Sequence, residues 1–366
     1  MSVTLATLIG AAAFATAAIG VHIITRYALR IRLIDVPNDR SSHTTPTPRG
    51  GGLALVVITV GGLVASSMWL PQLRTTQSLM AVVCFAVIAV ISWMDDLRSL
   101  PNGLRLLVHV SAASVIAISI GSIDTLALPW VGSVSLGWSA PLVTVIWIVG
   151  LTNAYNFMDG IDGIAGIQTI VAGVGLTILG LLISGMAISV VGALLAGSAA
   201  GFLVHNWEPA RIFMGDVGSA FVGFCIAAAV TAGAQLDDRF ALAGALLVAP
   251  FIIDTCYTFA RRLRNGENLF RAHRSHMYQR LVIAGLGHGT VSMVFGLAAA
   301  VGAGVGVLWL WRSAHVEILV AAYPVVLALG LYMWVRTIER RSTRRATPPI
   351  RAESPLAAKS ARGGGP

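Results

Sequence analysis

Residues Asn153–Gly166 read N-A-Y-N-F-M-D-G-I-D-G-I-A-G. Asn153, Asn156, Asp159 and Asp162 recur every third position, a spacing that keeps them on one slowly drifting side of a helical turn. Gly160, Gly163 and Gly166 leave room beside them for a ligand or another backbone. The chain on both sides is apolar enough to lie in lipid. Carboxylates against a membrane are costly unless a metal, a partner or a pathway takes them up. A single Asp capping a helix would explain one of these residues, but not two Asp and two Asn.

Outward from this stretch the chain is a series of apolar runs. Hydrophobic residues make up 56% of the 366 and charged residues 11%, with mean hydropathy +0.80. A soluble core does not use that much apolar sequence. Runs near residues 3–24, 53–70, 79–94, 104–120, 139–152, 164–184, 186–204, 217–234, 240–260, 289–311 and 316–335 predict an all-α polytopic integral membrane protein with 10–11 transmembrane helices. The run Val3–Ile24 has no basic segment before it and is too long for the apolar part of a signal peptide, so it reads as a retained span. In this reading residues 1–335 form the membrane domain. Residues 336–366, rich in Arg, Pro, Ala and Gly, form a basic, disordered cytoplasmic tail. Residues 121–140 carry Pro129, Trp130 and Trp138 among alternating apolar residues, the pattern of a short interfacial hairpin. Cys84, Cys225 and Cys256 sit in apolar runs without CxxC spacing and read as buried, reduced core residues.

Of the 25 basic residues 24 are Arg, and the net charge is +9. The arginines flank apolar runs instead of forming a nucleic-acid-binding face. If the N-terminus is outside, 22 of the 25 fall on inside segments, and only Arg74, Arg239 and Arg312 lie outside. That bias places the C-terminus and the polar loops in the cytoplasm.

The polar constellations all fall on this inside face. The first loop, D-V-P-N-D-R-S-S-H-T-T-P-T-P-R-G-G-G, offers Arg40, His43 and Arg49 to a phosphate. Asp95 and Asp96 close the third run, where adjacent carboxylates repel unless a cation or proton relieves them. In H-N-W-E-P-A-R-I-F-M-G-D-V-G-S, from His205 to Ser219, Asp216 between glycines can offer oxygen to a metal, and Phe213 can stack on a base. Asp254, inside a run, either serves function or pairs with Arg261 or Arg262. In A-H-R-S-H-M-Y-Q-R, His273, Arg274, His276 and Arg280 suit phosphate better than a metal. Five carboxylates on three loops, with few His or Cys, favour Mg²⁺, with Mn²⁺ as the alternative. No P-loop or dinucleotide-binding glycine pattern supports ATP hydrolysis or hydride transfer.

At these residues the chain resembles the polyprenyl-phosphate N-acetylhexosamine-1-phosphate transferases. The likeness runs from P-R-G-G-G through Arg280 and rests above all on N-A-Y-N-F-M-D-G-I-D-G together with F-M-G-D-V-G-S. The resemblance implies Mg²⁺-dependent transfer of a sugar 1-phosphate from a UDP-sugar to undecaprenyl phosphate, with release of UMP, in the bacterial inner membrane, by a homodimer. It implies that Asp216 binds metal, with Asp159 beside it, and that Asp95 and Asp96 are the essential pair, Asp95 as base or nucleophile. Asn156, Asp159 and Asp162 fall on the nucleotide side, and Asn206 and Phe213 at uridine-contacting positions. His273 and His276, with Arg274, would face phosphates. The translocase branch, which acts on MurNAc-pentapeptide, has three consecutive His in the last loop and a Lys after the Asp pair. Here H-R-S-H and Arg98 stand instead, which resembles the branch that starts surface polysaccharides such as O-antigen. The rival from another class is a secondary transporter, whose carboxylates would sit near the bilayer midplane among internal repeats.

Overall fold

The apolar runs are helices in the computed structural model, which describes residues 1–28, 34–35, 45–268 and 273–346. Helix α1 (Val3–Ala28) leads into a two-residue antiparallel pairing of β1 (Ile34–Asp35) with β2 (Thr47–Pro48), and α2 (Gly52–Trp69) follows. Helices α3 (Thr76–Arg98) and α4 (Asn102–Ser119) precede a hairpin of β3 (Thr125–Leu128) and β4 (Gly132–Ser135). Then come α5 (Ala140–Met158), α6 (Ile164–Leu182), α7 (Met186–Asn206) and α8 (Asp216–Ala234). A broken pair, α9 (Phe240–Leu247) and α10 (Ala249–Arg264), is followed by the short α11 (Met277–Ile283), then α12 (His288–Leu310) and α13 (Val316–Ala346). The hairpin expected within 121–140 is present, and 164–204 is two separate helices.

Ten helices among the described residues are long and apolar enough to cross a membrane. The run expected at 240–260 is not one straight span, because α9 and α10 meet at 78°. Pro250, in the first turn of α10, has no N–H to bond back into α9. The Leu247 carbonyl left at the break accepts from Gln168 Nε2 of α6 at 2.8 Å. The pair nevertheless crosses. At its entry the Asp238 carbonyl accepts from Ala127 N–H of the hairpin, which precedes α5; at its exit the Tyr278 hydroxyl donates to Phe157 O, at the end of α5. The eleventh crossing is therefore a bent one.

Helix α8 is the axis of the bundle. In its span 89% of the residues are buried, against 17% in α1 and α13. Its sequence is apolar on every side, as a helix surrounded by protein requires. Helices α3 and α5 lie against α8, while α7 packs on α1 and α6. Because crossings alternate in direction, the segment before α2 and the α3–α4, α5–α6, α7–α8 and α10–α12 connections share one face. The hairpin lies at the other.

Two expectations change. Helix α13 continues to Ala346, so residues 336–346 are helical and the tail cannot begin at 336. Arg280 anchors this extension through two hydrogen bonds of 2.8 Å to Glu339; residues 347–366 lie outside the described ones. Cys84 and Cys225 are buried free thiols, but Cys256 is exposed. It stands at the rim of the bundle, where part of an apolar run turns outward to lipid.

Gln168 is fully buried, and its Oε1 has no partner. Replacing Gln168 by Leu strands the Leu247 carbonyl but also removes that orphan oxygen. The expected loss is therefore near the lower end of about 1–3 kcal/mol, read as a lower thermal midpoint in detergent.

Candidate active site

The side chains of Asp95 and Asp96, in the last turn of α3, go separate ways. The Asp96 carboxylate accepts from the N–H groups of Asp216 at 3.1 Å and Val217 at 2.9 Å. First-turn amides have no partner within their own helix, so Asp96 caps α8 from a neighbouring helix, at the positive end of its dipole. The Asp96 carbonyl accepts from the Arg49 guanidinium. Arg49 is seated there because its loop pairs with the α7–α8 connection: Phe213 N–H donates to Pro48 O at 2.8 Å, and Gly51 N–H to Phe213 O at 2.9 Å. The Phe213 ring is half-buried.

Asp95 turns to the α3–α4 corner. Leu100 N–H donates to it at 2.6 Å, and the Arg105 guanidinium forms an ion pair with it. The same Arg105 nitrogen lies 3.3 Å from the Asp216 carboxylate, so one guanidinium stands between the two acids. The Asn156 amide donates to the Ser219 hydroxyl at 3.2 Å. Asp95 and Asp216 thus meet at Arg105, while Asp96 and Asn156 bind the first turn of α8 beside them. Sequence reasoning missed Arg105, because an arginine at an inside helix end reads as a topology charge. The signal was Pro101, which starts α4 immediately after α3 and folds its first turn back onto the Asp pair.

Asp159 follows the last residue of α5. Burial, and then the Asp96 and Asp162 carboxylates nearby, push its carboxyl up from 3.8 to about 7. Asp162 and Asn206, expected on the nucleotide side, are held by protein groups. Asp162 accepts from Ala210 N–H at 3.0 Å and lies 3.3 Å from His288 Nδ1. Asn206, 3% exposed, accepts from Gly163 N–H at 3.0 Å and donates to Ile212 O at 2.9 Å. Both lock the α5–α6 turn to the α7–α8 loop.

The glycines of the opening motif make room for side chains, where a ligand or backbone was expected. A Cβ on Gly160 would stand 2.1 Å from the Tyr278 hydroxyl. Gly163 has φ +79°, in the left-handed region, and the Trp207 ring lies 3.0 Å from where its Cβ would be.

Asp254, fully buried, pairs with neither Arg261 nor Arg262. Its carboxylate accepts from Met277 N–H at 2.9 Å, Tyr278 N–H at 3.0 Å and the Thr258 hydroxyl at 3.0 Å, and lies 3.1 Å from His276 Nδ1. It therefore caps α11 as Asp96 caps α8. The buried His276 ring stacks between His273 and Tyr278, at centroid distances of 5.2 and 5.8 Å. His276 holds the loop through Nδ1, His273 is half-buried, and Arg274 is exposed. Arg40 and His43 lie outside the described residues.

Among the described residues no three His, Cys, Asp or Glu side chains converge as metal ligands. The oxygen donor set still fits Mg²⁺, which takes one or two carboxylates and completes its shell with water and substrate phosphate. Arg105, between Asp95 and Asp216, marks where positive charge is needed.

Residues 78–234 match the family model described as Glycosyl transferase family 4. A probable undecaprenyl-phosphate N-acetylglucosaminyl 1-phosphate transferase of Bacillus subtilis (strain 168) is 31% identical over 269 residues, 73% of this chain and 74% of its own. The chain belongs to glycosyl transferase family 4. A decaprenyl-phosphate N-acetylglucosaminephosphotransferase of Mycobacterium leprae (strain TN) is 32% identical over 312 residues, covering 77% of this chain and 76% of the relative. A phospho-N-acetylmuramoyl-pentapeptide-transferase of Synechococcus sp. (strain JA-3-3Ab) is 33% identical over 290 residues, with 72% and 79% covered. The family match spans α3 through α8, the elements that carry Asp95, Asp96, Arg105, Asn156, Asp159, Asp162 and Asp216.

Two outcomes follow from this geometry. Gly160→Ala is expected to displace Tyr278 and loosen α11, at about 1–3 kcal/mol, seen as a lower thermal midpoint and faster proteolysis between α10 and α12. For Asp159 the fold favours the neutral carboxyl. Its contribution to stability is complete below 3.8 and is lost as the pH rises through about 7. With divalent ions chelated, Asp159→Asn is expected to flatten the thermal midpoint between pH about 4 and about 7. Equal slopes in parent and variant would remove the assignment.

Proposed function

We propose that this protein transfers an N-acetylhexosamine 1-phosphate from a UDP-sugar to undecaprenyl phosphate, releasing UMP and starting a lipid-linked surface glycan such as O-antigen. The observation that carries the reading is the meeting of Asp95 and Asp216 at Arg105, with Asp96 and Asn156 on the adjoining first turn of α8, at one membrane face. The names of the relatives supply the polyprenyl phosphate. The positive-inside bias makes that face cytoplasmic, with the N-terminus on the other side. The same reading places the protein in the bacterial inner membrane as a homodimer.

In this reaction an oxygen of the lipid phosphate attacks the sugar-proximal phosphorus, and the bond to UMP breaks. The second pKa of a phosphate lies near 6, so the attacking group is already largely ionised at neutral pH. Asp95 then serves to orient the acceptor, by way of Leu100 N–H and Arg105, more than to take a proton. A two-step route through phospho-Asp95 uses the same geometry. Arg49 and Arg105 balance negative charge at the centre, and the histidine loop adds His273 and Arg274 at its edge. Asp216, with Asp159 as the second expected ligand, would hold Mg²⁺, which supplies charge neutralisation on the pyrophosphate. Positioning and electrostatics provide most of the acceleration in phosphoryl transfers of this kind.

The test is UMP release by detergent-purified protein given undecaprenyl phosphate, Mg²⁺ and a panel of UDP-sugars. Release with one UDP-N-acetylhexosamine, abolished by EDTA and reduced about 100-fold or more in Asp216→Asn, is the expected result. Turnover only with UDP-MurNAc-pentapeptide would move the protein to the cell-wall branch. Undiminished turnover in EDTA would overturn the metal assignment.

A further inference from the structure

A cavity of ≈ 680 Å³ opens at the face opposite the carboxylates, between the ends of α2, α3, α7 and α8. Leu63, Phe85, Ile188 and Val191 wall it, and Ala228 and Ala229 of α8 leave it open where larger residues would close it. Val64 and Leu79, both exposed, stand at its edge, so it communicates with the lipid-facing surface. Twenty residues of α3, about 30 Å at 1.5 Å per residue, separate Thr76 from Asp96. That is the thickness of the hydrocarbon core, so the cavity belongs to the other leaflet.

Its rim is polar and carries positive charge. Arg74 Nε donates to Ser67 O at 2.7 Å and a terminal nitrogen donates to Met68 O, which fixes the guanidinium across the end of α2. Two of its five N–H groups are used in this way. Thr75 caps α3, its Oγ1 accepting from Ser78 N–H at 3.1 Å, so the positive end of that helix dipole meets the same rim. Arg74 is also one of only three basic residues on a face otherwise free of them. An apolar cavity open to lipid beneath a fixed guanidinium matches the two parts of one molecule, an acyl chain and an anionic headgroup.

We propose that this cavity holds an acyl chain of an anionic glycerophospholipid from the leaflet opposite the active site, with its phosphate on Arg74. The lipid fills the space between α3, α7 and α8 and so supports α8, whose other end carries Asp216.

Native mass spectrometry tests this on the full-length protein, reconstituted in vesicles of phosphatidylglycerol and phosphatidylethanolamine and then released. One retained phosphatidylglycerol is expected, together with a rise in thermal midpoint on adding that lipid in detergent. Arg74→Ala should weaken retention about tenfold, the effect of losing one charge-assisted contact. Ala229→Phe should weaken it by narrowing the cavity along α8. Val64→Trp, at the exposed edge, blocks entry without touching the core and covers the case in which Ala229→Phe fails to fold. Equal retention in parent and all three variants would overturn the proposal. So would displacement of phosphatidylglycerol by undecaprenyl phosphate, which would make the cavity part of the acceptor's path.

Discussion

A carboxylate from one helix seated on the first amides of another is the contact on which this site depends. Helix α8 is buried almost throughout, and its N-terminal N–H groups would be stranded without a partner. Asp96 supplies one, which fixes the end of α3 against the start of α8. Asp95, next in the chain, then faces the α3–α4 corner, and Asp216, first in α8, faces Asp95. Arg105 can reach both only because the two helices meet there.

The device recurs. Asp254 receives the first amides of α11, and Glu208 receives His288 N–H at 3.1 Å and Gly289 N–H at 2.6 Å at the start of α12. Three helices at this face thus begin on a carboxylate borrowed from elsewhere in the chain. Each contact satisfies amides that lipid or protein would otherwise leave bare. The Asp159 carboxyl is shifted to about 7 by its burial first and by the Asp96 and Asp162 carboxylates second.

The crossings were readable in the sequence because the bilayer dictates how long an apolar run must be. The bend between α9 and α10 was not, since a proline in the first turn of α10 looks like any helix start. The carboxylate loops were readable as a group, because charge in that setting needs a cause. Their individual tasks were not. Whether an aspartate meets a ligand or a helix end depends on which element tertiary packing brings opposite, as Asp254, seated on the first amides of α11, shows. Arg105 was hidden by the same statistics that made the topology legible.

The bent crossing has a consequence for biogenesis. At eight residues, α9 reaches about 12 Å, less than half of the roughly 30 Å hydrocarbon core, and the Leu247 carbonyl at its end is satisfied by a side chain of α6. Such a segment has no stable resting place alone in lipid. It must be received by neighbours already in place, so this part of the bundle assembles late, after α6 and α8 have been inserted and docked.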